Sequence, residues 1–208
     1  MLKAKNLKEY REAYEKAPGN CYGYYTVKEV MHRYNAYAKL IPSDSKVLDV
    51  GCNSGGLGNN LRNNKNCLDY GLDITDLWKK YVPKEFHHRY KVGMAEDLSS
   101  IIKDTFDVVT CCEFLEHLLD VDVVMKEIMK VLKKDGILVG SVPHDKGKRG
   151  FGHYKSPSDV HMREFNEKTL SELLKKYFNK VEITESIRLT GNPTLEFYIF
   201  KASDKKNI

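Results

Sequence analysis

The chain has 208 residues, 41% of them hydrophobic and 30% charged, which is ordinary for one globular domain and short for two sizeable cores. The formal net charge of +5 permits an anionic partner without requiring one, so charge alone does not indicate a nucleic-acid-binding protein. The five cysteines include no C-x-x-C pair, which argues against a disulfide framework and for a reducing compartment.

The N-terminal region, residues 1–42, is predicted to form two helices that extend or cover a catalytic domain of residues 43–208. It carries no apolar stretch suited to a signal peptide, and no later run approaches membrane-spanning length. We therefore expect a cytoplasmic protein with no membrane partner. The second helix is predicted to begin at the capping box Thr26-x-x-Glu29. Its apolar side should carry Val27, Val30, Met31, Tyr34 and Tyr37.

Strands and helices are predicted to alternate along most of the remaining chain. Short β-branched runs at 46–50, 106–111 and 136–142 are bounded by turn residues and are apolar on both faces, as buried strands are. Apolar spacings of three and four predict helices over 120–134 and, behind a cap at Asn166, over 166–178. This alternation predicts an α/β fold with a doubly wound, mostly parallel sheet.

The C-terminal segment departs from this alternation. Residues 181–187 and 195–201 are strand-like, and the turn Thr190-Gly191-Asn192-Pro193 between them is too short for a crossover helix. We therefore expect one antiparallel strand near the C-terminus.

A small-residue turn follows the first predicted strand and forms the best candidate for a cofactor site. Gly51 and Gly55 let the backbone approach a ligand at the carboxyl edge of the sheet. Asp73 ends the next strand-like run, where a carboxylate can accept hydrogen bonds from both hydroxyls of a ribose. A dinucleotide dehydrogenase would need glycine at 51, 53 and 56. Position 53 is Asn53, a residue that tolerates the left-handed turn but breaks that fingerprint.

The stretch Asp49-Val-Gly51-Cys-Asn53-Ser-Gly55 resembles the first motif of class I S-adenosylmethionine-dependent methyltransferases. Segments 93–98, 106–113 and 132–139 resemble three later motifs of that family, in the family's order. The resemblance covers roughly residues 42–201. It implies a seven-stranded Rossmann-like sheet and S-adenosylmethionine as the cofactor. The cofactor contacts that it implies are Asp49, Gly51, Cys52, Asn53, Gly55, Asp73, Ile74, Ala95, Glu96 and Cys112.

One departure from the family pattern concerns adenine. Family members often have aspartate where this chain has Met94. Adenine recognition would then rest on backbone amides near Ala95 and on apolar stacking, with Glu96 as a further contact.

A cluster of ligand-type residues follows the fourth strand. Glu113, Glu116 and His117 are spaced to share one face of a helical turn, at the edge where the transferable methyl should lie. Together with the later His161, this E-x-x-E-H pattern resembles the metal site of small-RNA 2′-O-methyltransferases, which implies a four-residue ligand set. Two carboxylates and two imidazoles favour Mn²⁺, Fe²⁺, Co²⁺ or Zn²⁺ over Mg²⁺.

The same cluster can also be interpreted as a site without a metal. Methyltransferases that lack one, including ubiquinone-pathway-like O-methyltransferases, show a similar Leu-Glu-His, where the side chains serve packing, cofactor contact or proton transfer. The candidate catalytic residues are therefore His117, His161 and Glu113. Because a hydroxyl acceptor needs a base or a metal whereas an amine needs less help, the cluster favours oxygen as the acceptor.

The acceptor is expected to contact the loop over 143–161, which combines cations with aromatic residues. Its candidate substrate residues are His144, Arg149, Tyr154 and Lys155. They suit an anionic or sugar-containing small molecule such as a phosphorylated or nucleotide-linked sugar, although a solvated charged loop would look similar. Three alternatives are an RNA ribose 2′-O-methyltransferase, which would lack a separate RNA-binding domain here, a non-catalytic cofactor-binding subunit, and a dehydrogenase.

Overall fold

The computed structural model describes residues 27–143, 162–185 and 197–207. Seven strands in this part of the chain form one sheet in the order β3-β2-β1-β4-β5-β7-β6. The strands are β1 Lys46–Val50, β2 Leu68–Asp73, β3 Tyr90–Val92, β4 Phe106–Cys112, β5 Leu132–Pro143, β6 Phe178–Glu185 and β7 Phe197–Lys205. The helices are α1 Val27–Leu40, α2 Gly56–Lys65, α3 Leu98–Ile101, α4 Val121–Val131 and α5 Glu167–Tyr177.

The sheet has the predicted class. Strands β1 to β5 pair in parallel, and β7 lies antiparallel between β5 and β6. The predicted α/β fold, doubly wound with seven strands and one antiparallel strand near the C-terminus, is confirmed. Because β1 lies between β2 and β4, the strand order reverses there. Parallel α/β sheets bind their ligands at the carboxyl ends of the strands beside such a point.

Local sequence signals explain where the two longer C-terminal helices begin. Asp120 caps α4 by accepting from the amides of Asp122 and Val123. Asn166 caps α5 by accepting from the Thr169 amide, while the Thr169 side chain accepts from the Asn166 amide. The predicted cap at Asn166 is therefore confirmed.

The helix predicted over 120–134 ends three residues early, at Val131, and β5 begins at Leu132 instead of 136. Leu132 pairs with Phe106 at the start of β4, and the register then shifts before Val108 pairs with Ile137. Lys133 reaches the Asp107 carboxylate at 2.6 Å. These contacts with β4 favour an extended backbone, although the apolar spacing of the segment continues that of a helix.

Two layers of side chains cover the sheet. The larger cluster joins strands β1, β4, β5 and β7 to helices α3, α4 and α5, and the smaller one joins α1 and α2 to β1. Tyr37 and Ile41 at the end of α1 are almost fully buried in the smaller cluster, which fixes this helix on the sheet. Met31, predicted on the apolar side of α1, is instead exposed. In the described residues, no helix has both the length and the apolarity that a membrane span requires.

Three predictions about these terminal regions fall on residues that the structure does not describe. They concern the first N-terminal helix, the capping box Thr26-x-x-Glu29 and the turn at 190–193. The strands on either side of that turn are β6 and β7, which are antiparallel as predicted.

Candidate functional site

The turn after β1 follows a left-handed path that its small residues permit. Gly51, Asn53 and Gly55 have φ angles of +79°, +49° and +75°. A side chain at Gly51 would also overlap the Phe114 ring. The amides of Gly51 and Cys52 both donate to the Leu72 carbonyl, at 2.8 and 3.1 Å. Asn53 thus replaces a glycine in the left-handed conformation that the sequence predicts for it.

Asp73, at the end of β2, ties this turn to its own strand. Its Oδ2 accepts from the Asn53 amide at 2.8 Å, and its Oδ1 accepts from the amide and the hydroxyl of Thr75, both at 2.9 Å. The side chain is buried, with 7% exposure. A carboxylate has roughly four acceptor positions, so these three bonds leave it able to accept one more.

One cleft lies over the carboxyl ends of these strands. Nine of the ten predicted cofactor residues line it, and the tenth, Gly55, is buried outside the lining. Helix α1 closes one side of the cleft, and the segment after β4 closes another. The lining residues that were not predicted as cofactor contacts include Val30, Arg33, Tyr34, Tyr37, Leu57, Leu72, Gly93, Met94, Glu113, Phe114, His117 and Leu118.

Burial dominates the electrostatics at the floor of the cleft. It raises the pKa of Asp49 to about 7, against the hydrogen bond that Thr110 Oγ1 donates at 2.6 Å. The nearby Asp73 charge raises the pKa of Asp49 further. Burial likewise raises the pKa values of the Cys52 and Cys112 thiols, which therefore stay protonated and serve as small apolar groups.

The lining carries features that a bound ligand would satisfy. Asn53 Oδ1 is buried and has no hydrogen-bond partner in the described part of the chain. An orphaned acceptor of this kind suits an N–H or O–H donor on a ligand. The described lining contains four carboxyl groups, those of Asp49, Asp73, Glu96 and Glu113, and one guanidinium, that of Arg33. The cleft therefore suits a ligand with positive charge better than an anion.

Glu113 binds helix α1. It follows β4 with a left-handed φ of +53°, and its amide donates to the Ser141 carbonyl at 2.8 Å. Arg33 forms an ion pair with its carboxylate, and the Tyr37 hydroxyl donates to the same oxygen at 3.2 Å. Tyr37 also shares a 2.8 Å hydrogen bond with the Ser141 hydroxyl. The contacts join α1, β4 and β5 at one side of the cleft.

Glu116 and His117 lie deeper in the same short turn. Glu116 is 1% exposed, and neither of its carboxylate oxygens has a hydrogen-bond partner among the described residues. Burial, with the Glu113 charge, raises the pKa of Glu116 well above its usual range. His117 lines the cleft, with its Nε2 3.8 Å from Glu116 Oε1. An imidazole therefore lines the cleft, with a buried carboxyl group close to one of its nitrogens.

The predicted metal set is not assembled in the described part of the chain. There, no group of three His, Cys, Asp or Glu side chains is arranged to hold a metal ion. The carboxylate of Glu113 forms its ion pair with Arg33. His161 lies outside the described residues, although its neighbour Met162 donates its amide to the Glu116 carbonyl at 2.8 Å. Because the described residues of the predicted ligand set are not arranged to hold a metal ion, we derive no catalytic step through a metal.

Sequence reasoning missed Arg33 of α1 as a residue that lines the cleft. Arg33 lies on the stripe of Val30, Tyr34 and Tyr37, at helical spacings of three and four. The sequence did contain a signal for this role, because Arg33 is a charged residue on an otherwise apolar face of the helix. The predicted substrate residues His144, Arg149, Tyr154 and Lys155 lie outside the described residues.

Comparisons with known proteins agree with this geometry. A family model described as a methyltransferase domain matches residues 22–181. A ubiquinone biosynthesis O-methyltransferase of Xanthomonas axonopodis pv. citri is 32% identical over 109 residues, which cover 49% of this chain and 44% of that protein. Its counterpart from Pelagibacter ubique is 35% identical over 100 residues, which cover 45% and 40%. The matches thus span less than half the length of these curated relatives.

A solved structure shows the same fold at much lower identity. The 1,6-didemethyltoxoflavin-N1-methyltransferase of Burkholderia thailandensis, crystallised with S-adenosylhomocysteine, is similar with a TM-score of 0.67 and 16% identity. The similarity covers 96% of this chain and 87% of that one. Because the family model matches well over half of its residues, the chain belongs to the methyltransferase domain family, as the resemblance to class I S-adenosylmethionine-dependent methyltransferases predicts.

Proposed function

We propose that this protein binds S-adenosylmethionine in the cleft and transfers its methyl group to a hydroxyl of a small polar acceptor. The observation that carries the proposal is the hydrogen bond from the Asn53 amide to Asp73. It joins the ends of two neighbouring parallel strands into one ligand-binding edge, where a left-handed turn and a carboxylate face the same cleft.

The lining residues fit the parts of this cofactor. Asp73 would accept from one ribose hydroxyl at its remaining acceptor position, and the orphaned Asn53 Oδ1 would accept from a further donor of the ligand. The backbone near Ala95 and the half-buried Glu96, whose pKa is raised by burial, also line the cleft and would contact the adenine. The carboxyl groups of the lining suit the positive charge of a sulfonium.

His117 is the proposed base. S-adenosylmethionine supplies an electrophilic methyl group on a sulfonium, so the chain must mainly align the acceptor and remove its proton. His117 faces the cleft and would take the hydroxyl proton as the new O–CH₃ bond forms and the S–CH₃ bond breaks. The Glu116 carboxyl, whose Oε1 lies 3.8 Å from the His117 Nε2, would help to hold the imidazole in place.

The choice of an oxygen acceptor has two supports. The curated relatives carry the name O-methyltransferase, and the cleft contains an imidazole that a hydroxyl acceptor needs more than an amine does. The Burkholderia thailandensis neighbour, by its printed name, methylates nitrogen. Fold similarity therefore leaves the acceptor atom to experiment.

An anionic or sugar-linked acceptor would depend on the loop over 143–161. Arg33, the guanidinium of the described lining, already forms an ion pair with Glu113. A phosphate would thus need cations such as Arg149 or Lys155 from that loop. We accordingly place a neutral polar hydroxyl compound ahead of a phosphorylated sugar or RNA.

The decisive experiment combines binding with a transfer screen. Calorimetry with S-adenosylmethionine and with NAD should show binding of the first and not of the second. S-adenosylmethionine carrying an isotopically labelled methyl is then incubated with pools of hydroxyl compounds, amines and short RNA. We expect label in the hydroxyl pools, whereas label in amines or RNA alone would overturn the acceptor class. Binding of NAD without S-adenosylmethionine would overturn the proposal as a whole.

A further inference from the structure

Tyr90 lies behind the glycine turn, outside the cleft, and packs against three glycine positions. In the sheet register Tyr90 of β3 is the partner of Gly71 in β2. Because Gly71 has no side chain, the ring can lie across β2, and a Cβ at Gly71 would come within 2.5 Å of it. The ring also lies 3.2 Å from the Cβ position of Gly55, and its hydroxyl lies 2.5 Å from that of Gly58. Tyr90 therefore fills the space between β2, the turn and α2.

A buried carboxylate fixes the Tyr90 hydroxyl. The hydroxyl donates to Asp69 Oδ2 at 2.6 Å, and Arg62 of α2 donates to the same oxygen at 2.6 Å. Asp69 is 1% exposed and Tyr90 3% exposed, so this bond is shielded from water. Burial and the Asp69 charge raise the pKa of Tyr90, which keeps the phenol protonated as a donor. Trp78 packs on the ring with its centroid 5.5 Å away.

We propose that Tyr90 is a positioning residue for the cofactor, and that its hydroxyl, held by Asp69 and Arg62, fixes the glycine turn against α2. The inference rests on the proposed function, because it assumes that the turn binds S-adenosylmethionine. Tyr90 touches the turn without lining the cleft and acts through Gly55, whose amide donates to the Cys52 carbonyl at 2.7 Å. A turn that is held before the ligand arrives spends less binding free energy on becoming ordered.

The chain offers a matched control for the loss of this hydroxyl. Tyr177 on α5 is also 3% exposed, and its hydroxyl donates to Asp122 Oδ1 at 2.7 Å. A lysine, Lys176, binds the same carboxylate, much as Arg62 binds Asp69. Neither Tyr177 nor Asp122 lines the cleft. Tyr177→Phe therefore removes a phenol–carboxylate bond without touching the glycine turn, and its acceptor Asp122 is more exposed than Asp69, at 43% against 1%.

The test measures cofactor affinity and stability in wild type, Tyr90→Phe and Tyr177→Phe. Calorimetry with S-adenosylmethionine and S-adenosylhomocysteine gives the dissociation constants, and urea unfolding gives the stabilities. We expect Tyr90→Phe to weaken the binding of both ligands about fivefold, which corresponds to the free energy of one buried hydrogen bond. Tyr177→Phe should lose less stability, because its acceptor is partly exposed to water, and should change the affinity less than about twofold.

Cofactor affinity that is unchanged in both variants would overturn the positioning role. Affinity that is weakened equally in both variants would also overturn it, because the weakening would then reflect the loss of stability alone. Wild-type protein that binds neither ligand would overturn the proposed function instead. If Tyr90→Phe does not fold, Asp69→Asn carries the test, because it keeps an acceptor for the phenol and weakens the Arg62 pair. It should weaken binding about twofold to threefold, and unchanged affinity in that variant would overturn the inference.

Discussion

The carboxylate of Asp73 and the backbone amide of Asn53 are joined by a 2.8 Å hydrogen bond that links the ends of β2 and β1. The other oxygen of Asp73 accepts two bonds from Thr75. One buried side chain thus holds two turns at the carboxyl edge of the sheet and keeps an acceptor position for a ligand. Under the proposed function, this carboxylate both shapes the cleft and contacts the cofactor.

Replacing Asp73 by asparagine should remove both roles. The NH₂ group of the introduced asparagine is a hydrogen-bond donor, and it would lie against either the Asn53 amide or the Thr75 donors, which also donate. The turn would therefore lose a charge-assisted hydrogen bond. We expect Asp73→Asn to weaken S-adenosylhomocysteine about 100-fold, since bonds to charged groups contribute roughly 1.5–3 kcal/mol each. Calorimetry measures this, with Asp76→Asn as the control because that exposed acid pairs with Lys79 at 3.0 Å. Binding within about threefold of wild type would refute the role of Asp73.

Two substitutions in the glycine turn should have opposite outcomes. Gly51→Ala adds a Cβ at a φ of +79°, where it would overlap the Phe114 ring. It should lower the free energy of unfolding by about 1–3 kcal/mol and weaken the binding of the cofactor. Asn53→Gly keeps the left-handed φ and the backbone amide that Asp73 binds, so its stability should stay within about 1 kcal/mol of wild type. Urea unfolding distinguishes them, and equal losses would contradict the left-handed strain that we assign to position 51.

The turn and its acid were predictable because neighbouring features of the sequence determine them. A strand period that ends at Val50 and another that ends at Asp73 must place both ends at one edge of a parallel sheet. The left-handed conformation of Asn53 follows from its place among glycines. In both cases the information lies within a few residues of the site.

The partner of Glu113 was not predictable in the same way. Its spacing from Glu116 and His117 indicated a shared face, but its carboxylate pairs with Arg33, 80 residues earlier in the chain. Only the packing of α1 on the sheet brings that guanidinium to the cleft. The early end of α4 has a similar cause, because pairing of Leu132 with Phe106 overrides the local helical period.

Asp49 should make stability depend on pH. Burial raises its pKa to about 7, whereas an aspartate in an unfolded chain ionises near pH ~4. Between these values the native state binds more protons than the unfolded state, so stability falls as pH rises from about 4 to 7 and then levels off. Asp49→Asn can still accept from Thr110 but cannot ionise. It should match wild type near pH 4 and exceed it at pH 8 by a few kcal/mol, at about 1.4 kcal/mol per pKa unit.

Urea unfolding of both proteins at pH 5 and pH 8 tests this difference. The raised pKa values of Glu96 and Glu116 act equally in wild type and variant, so the comparison isolates Asp49. A stability difference that is the same at the two pH values would show that Asp49 is ionised throughout.

The pair between Arg33 and Glu113 should couple more strongly than a surface pair. Its side chains are 9% and 24% exposed, against 54% and 62% for Lys79 and Asp76. Double-mutant cycles with Arg33→Met and Glu113→Gln should give a coupling of about 2 kcal/mol, because water screens a largely buried pair weakly. The control cycle with Lys79→Met and Asp76→Asn should give about 0.5 kcal/mol or less. Similar couplings would mean that this contact does not hold α1 over the cleft.

His117 should matter for transfer and little for cofactor binding. His117→Gln keeps a polar side chain of similar size but cannot take a proton, so methyl transfer to the hydroxyl acceptor should fall about 100- to 10,000-fold. Affinity for S-adenosylhomocysteine should stay within about threefold of wild type, since the proposed cofactor contacts remain in place. His32→Gln is the matched control, because His32 is an exposed histidine on α1 outside the cleft lining. If both variants transfer the methyl at the wild-type rate, the proton leaves by another route and His117 is not the base.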